Sequence, residues 1–112
     1  MTSNLKRLKE NKHMLYVLKN ASPKLRRAIL RLAPDELIYA INEIAYNILH
    51  GNHKVKRQKK DELEKYKSEL RKLTKPSRTL TPKRKVLVQS GGSFLPILLS
   101  TVFSGVIGKY LN

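Results

Sequence analysis

The stretch DELIYAINEIAYNILH, Asp35 to His50, decides the fold. Leu37, Ile38, Ile41, Ile44, Ala45, Ile48 and Leu49 recur with the 3.6-residue period of a helix, so their side chains share one broad face. Pro34 opens the segment, Asp35 and Glu36 lie where a helix dipole favours anions, and Gly51 is a natural stop. Seven aliphatic positions exceed what one neighbour can cover. The segment therefore predicts the core helix of an all-α chain, with at least two helices packed against it.

On the N-terminal side, Leu5, Leu8, Leu15 and Leu18 predict a helix over about Asn4 to Lys19. Ser22 followed by Pro23 predicts the start of another, because the Ser oxygen accepts from free backbone N–H groups and Pro has none to leave unsatisfied. In that helix Leu25, Ala28, Ile29 and Leu32 are the expected inner face, with Lys24, Arg26, Arg27 and Arg31 around the others. On the C-terminal side, Leu63, Tyr66, Leu70 and Leu73 predict a helix over about Asp61 to Thr74 after the basic run Lys54 to Lys60. The helices around Leu25–Leu32 and Leu63–Leu73 are the expected neighbours of the core helix.

The segment KPSRTLTPKRK, Lys75 to Lys85, has two prolines, five cations and no apolar period, and reads as a linker. Val86 to Val88 fit a short extended run before Gly91 and Gly92. Phe94 to Leu111 is apolar with one Lys, and as a helix it would be roughly 27 Å long, just short of a hydrocarbon core. Ser100, Ser104 and Gly108 recur every four residues, the small-residue spacing of close helix pairs in membranes. Three readings stay open: a helix packed on protein, one associated with a membrane, or a segment disordered in isolation. The expected architecture is a small bundle of three to four short helices in residues 1–75, a basic linker in 76–93 and an apolar C-terminal helix in 94–112.

Charge narrows the function more than the fold does. In 112 residues there are 24 Lys and Arg against 8 Asp and Glu, a net charge of +16. Residues 1–33 hold nine of the cations and one acid, whereas residues 34–51 hold three acids and no cation. Such an excess calls for a polyanionic partner, nucleic acid or an acidic membrane surface. Few aromatics and no Trp give little for base stacking along a strand, and no recognition-helix or zinc-finger motif is present. With no Cys, disulfides, zinc–thiolate sites and cysteine nucleophiles are excluded. His50 and His53 form a His-x-x-His spacing without a Cys or carboxylate at ligand distance in sequence, which suits two histidines near a helix end better than a metal site. The expectation is no enzyme, no cofactor and no metal.

The run KRKVLVQSGGSFLPILLSTVFSGVIGKYL, Lys83 to Leu111, resembles the C-terminal end of the adenovirus core protein X (mu) precursor. In that family a basic DNA-condensing segment is followed by Gly-Gly and a short apolar stretch. Here Gly91, Gly92, Leu95, Pro96, Ile97, Leu98 and Leu99 stand in the corresponding order. The chain also resembles the short basic proteins of Polinton/Maverick elements and adintoviruses, including the block PKLRRAILRLAPDELIYAINEIAYNILHGN. The resemblance implies a virion core protein working in the host nucleus, with cleavage after Gly92 by an adenovirus-type maturation protease. Gln89 stands where the family places an aliphatic residue, and a Gly-Gly hinge is the alternative. Lys83 to Lys85 after Pro82 also resemble a nuclear localisation signal.

The expected partner is double-stranded DNA, bound through phosphates without sequence reading. The candidate contacts are Lys6, Arg7, Lys9 and Lys12; Lys24, Arg26, Arg27 and Arg31; Lys54, Lys56, Arg57, Lys59 and Lys60; and Arg78, Lys83, Arg84 and Lys85. Phe94, Leu95, Ile97, Leu98, Val102, Phe103 and Ile107 are the candidate face toward an acidic membrane or a capsid or core protein. The alternative function is a membrane-active or membrane-anchored basic viral protein that uses this helix.

Overall fold

Among the described residues each stretch with a helical apolar period becomes helix, and so does the expected linker from Thr81 onward. The computed structural model describes residues 3–51 and 55–103, which form seven α-helices and no strand. These are α1 (Ser3–Glu10), α2 (Lys12–Asn20), α3 (Pro23–Leu32), α4 (Asp35–Leu49), α5 (Arg57–Glu64), α6 (Lys67–Thr74) and α7 (Thr81–Val102). The all-α expectation holds; a bundle of three to four helices does not. The single N-terminal helix breaks at Asn11, whose side-chain amide donates to the Arg7 carbonyl at 2.8 Å and so competes with the backbone ladder. The helix expected over 61–74 begins earlier, at Arg57, and breaks at Lys65–Tyr66, setting the Tyr66 ring 6.0 Å from that of Phe94.

Helix α4 is the buried rod its sequence predicts, with Leu37, Ile38, Ala40, Ile41, Ile44 and Ala45 in the core. Gly51 stops it in the left-handed region at φ 69°, which glycine alone adopts freely. Its neighbours are α1, α6 and α7. Helix α3 packs chiefly on α7 instead, and of the expected inner face only Ile29 reaches the core. Arg26 and Leu30 are buried while Leu25 is 52% and Leu32 88% exposed.

The largest correction concerns residues 76–102. Thr81 to Ser90 is helical, so there is neither a linker through 93 nor an extended run at Val86–Val88. The apolar stretch after Gly92 is no separate tail: Leu87, Phe94, Leu95, Leu98, Leu99 and Val102 are fully buried in one core with α2, α3, α4 and α6. The two halves of α7, Thr81–Ser90 and Gly92–Val102, meet at 102°. That bend wraps α7 around α2 to α6, and Phe94, Leu95, Leu98, Leu99 and Val102 are buried against them. Among the described residues no single helix is long and apolar enough to cross a membrane. The remainder of the expected C-terminal helix, 104–112, lies outside the described residues.

Candidate nucleic-acid interface

Proline removes a helix donor, and in this fold cations from elsewhere in the chain replace it. Pro96 has no N–H for the carbonyl of Gly92, four residues earlier. The Arg26 guanidinium donates to that carbonyl at 3.0 Å, and also to the Leu18 and Ala21 carbonyls at the end of α2, at 2.7 and 2.6 Å. Pro34 likewise leaves the Leu30 carbonyl without a helix donor. Arg84 donates to Leu30 and Ala33, both at 2.8 Å, and to the Asp35 carboxylate at 3.0 Å. At the end of α6, where the chain turns into Pro76, the Lys83 ammonium donates to the Leu73 and Lys75 carbonyls at 2.6 and 2.8 Å and to Asn42 Oδ1 at 3.1 Å. Arg26 is 3% and Lys83 6% exposed, and burial lowers the pKa of both. Three of the expected phosphate contacts thus hold helix ends.

Arg7 is a fourth cation turned inward. It pairs with Glu36 at 3.3 Å and with Glu43, and lies 5.2 Å from the centre of the Tyr39 ring. Desolvation raises the pKa of the Glu43 carboxyl, Arg7 opposes this, and Glu36 adds to it; Glu43 Oε2 is buried without a hydrogen-bond partner among the described residues. Asp35, Glu36 and Glu43, the acids of the centre, are therefore matched by Arg7 and Arg84.

Other expected contacts face solvent. Lys24, Arg27 and Arg31 are exposed on α3 with Ala28 between them, at relative positions 0, 3, 4 and 7, which is one helix face. Among the described residues none of the three pairs with a carboxylate. This stripe runs about 10 Å, over which a duplex presents about six phosphate charges. Lys9, Lys56, Arg57, Lys60, Arg78 and Lys85 are also exposed; Lys12 and Lys59 are half-buried, and Lys6 sits 4.0 Å from Glu10. Of the expected apolar face, Phe94, Leu95, Leu98 and Val102 are buried and Ile97 is half-buried, while Phe103 meets Tyr16 edge-to-face at 5.7 Å. Lys54, His53 and Ile107 lie outside the described residues.

Sequence reading missed one group. Arg71, Lys72 and Lys75 line a groove with Tyr46, His50, Thr74 and Pro76, where the ends of α4 and α6 come together. The i, i+4 spacing of Tyr46 and His50 and, separately, the basic last turn of α6 were its only signals. Gly91 and Gly92 lie at the bend of α7, in helix rather than in the extended form a protease cleft takes. Compared with family models, curated proteins and solved structures, the chain matches none.

Proposed function

We propose that this protein is a non-enzymatic, sequence-independent double-stranded DNA-binding and condensing protein of a virion core, from an element related to Polintons, adintoviruses and adenoviruses, acting in the host nucleus. The observation that carries the reading is the stripe Lys24, Arg27 and Arg31 on α3, without a carboxylate partner among the described residues, in a chain of net charge +16. Each phosphate met by a cation releases condensed counterion, which gives affinity without any base contact. Condensation needs more than one basic surface, and the exposed Lys56, Arg57 and Lys60 at the start of α5, beside Asp61 and Glu64, are the candidate second. The resemblance of Lys83–Leu111 to the adenovirus core precursor supports the same assignment.

A membrane-active role would require Gly92–Val102 to leave the core, exposing Phe94, Leu95, Leu98 and Leu99. Processing after Gly92 would require the bend to open and Arg26 to release the Gly92 carbonyl. The folded state therefore protects that junction, and a maturation protease would act on a chain opened there. The test of the DNA reading is retardation of two duplexes of equal length and shuffled sequence by the full chain. Equal affinities that fall steeply with salt are expected; a tenfold preference for one duplex, or no salt dependence, overturns it.

A further inference from the structure

The groove between the ends of α4 and α6 differs in kind from the α3 stripe, because it joins an aromatic shelf to its cations. It is an open depression of about 450 Å³. The rings of Tyr46 and His50 stack in it, centres 4.0 Å apart and planes 22° from parallel. His50 Nδ1–H donates to the Tyr46 carbonyl at 2.9 Å, which holds the imidazole against the phenol and points Nε2 away from the backbone. Tyr46 is 46% exposed, so the pair is a surface shelf and not core packing. Arg71, Lys72 and Lys75 surround it, and among the described residues no carboxylate lines the groove.

Two helix C-termini meet here, each carrying about half a negative charge, which by itself would repel an anion. Lys83 answers the α6 end from the buried side through the Leu73 and Lys75 carbonyls. Three further cations on the rim outweigh what remains. A ligand matching this surface has a flat ring to lay on the shelf and closely following negative charges. A base in a duplex is stacked on both faces and offers neither to a protein, whereas an unpaired base does.

We propose that this groove binds an unpaired nucleotide of single-stranded nucleic acid, its base on the Tyr46–His50 shelf and its phosphates against Arg71, Lys72 and Lys75. Three cations within about one helical turn suit successive phosphates of a strand better than the single phosphate of a mononucleotide. The site is separate from the α3 stripe and does not require the duplex reading to hold.

The test is fluorescence anisotropy of the full chain with a labelled single-stranded octanucleotide, with a hairpin duplex and with labelled AMP, at one salt concentration. Tyr46→Ala should weaken octanucleotide binding about tenfold, as expected for the loss of one stacked base, and leave duplex binding within twofold. Tyr46→Phe keeps the ring face and should bind the octanucleotide as the wild type does. AMP should bind at least tenfold more weakly than the octanucleotide; AMP binding of equal strength would reassign the groove to free nucleotides and overturn the strand proposal. Equal losses on single strand and duplex, or no loss in Tyr46→Ala, would also overturn it. A chain that fails on duplex yet loses octanucleotide affinity with Tyr46→Ala contradicts the duplex reading alone. Thermal melting of both variants by circular dichroism confirms that the fold is intact.

Discussion

The inner and outer sides of α3 carry the same residue type to opposite ends. Arg26 is enclosed, each of its three nitrogens donating to a carbonyl at the end of α2 or the bend of α7. Arg27, the next residue, stands in solvent with Lys24 and Arg31. A cation that meets several orphaned carbonyls satisfies groups that would otherwise cost about 1–3 kcal/mol each when buried. A cation that meets none keeps its charge for a partner. Net charge therefore overstates the binding surface, since Arg7, Arg26, Lys83 and Arg84 are engaged internally.

The inner side should break first. Arg26→Met keeps much of the side-chain volume and removes every donor, leaving the carbonyls of Leu18, Ala21 and Gly92 without it. We expect a loss of about 3–5 kcal/mol, read from urea unfolding followed by circular dichroism, which is a large part of a small domain's stability. A loss below 1 kcal/mol would mean that water replaces the guanidinium.

The link between Arg26 and Pro96 sharpens the same contrast. Pro96→Ala restores the N–H that the Gly92 carbonyl lacks, so Arg26→Met should cost less in that background, by about 1 kcal/mol in a double-mutant cycle. Additive costs would show that the bend, and not the proline, sets the need for Arg26.

A smaller effect is expected at the Arg7 pair. The Glu43 pKa is raised in the folded state, so between its unfolded and folded values the native chain binds more protons than the unfolded one. Its contribution is thus fully present below the unfolded value and is lost as pH rises through the folded one. Relative to Glu43→Gln, the wild type should gain stability on acidification from neutral pH through that window, measured as the difference between their melting temperatures. A difference that narrows in the opposite direction contradicts the burial of the carboxyl.

The core helix was legible because α4 is bounded by Pro34 and Gly51 and periodic throughout. Ser22 was legible as a cap, and its Oγ accepts from the Leu25 N–H at 3.2 Å. The inner face of α3 was not, because apolarity places Leu25 and Leu32 inside, whereas the fold needs a guanidinium at position 26. That need arises where the end of α2 meets the bend of α7, and Gly92 in that bend is 66 residues away in sequence. For the same reason the prolines and cations of Lys75–Lys85 read as a linker: Lys83 and Arg84 find their carbonyls on α6 and α3, outside any local pattern. The α3 stripe was legible as charge but not as a face, and the Tyr46–His50 groove depends on two helix ends meeting in space.

The most direct measurement is the slope of log affinity against log salt for duplex binding by the wild type and by a Lys24→Gln, Arg27→Gln, Arg31→Gln variant. At close to 0.9 per phosphate contact, the variant's slope should be shallower by about 2.7, with a melting temperature near that of the wild type. An unchanged slope in a folded variant would contradict the assignment of the outer side of α3 to DNA.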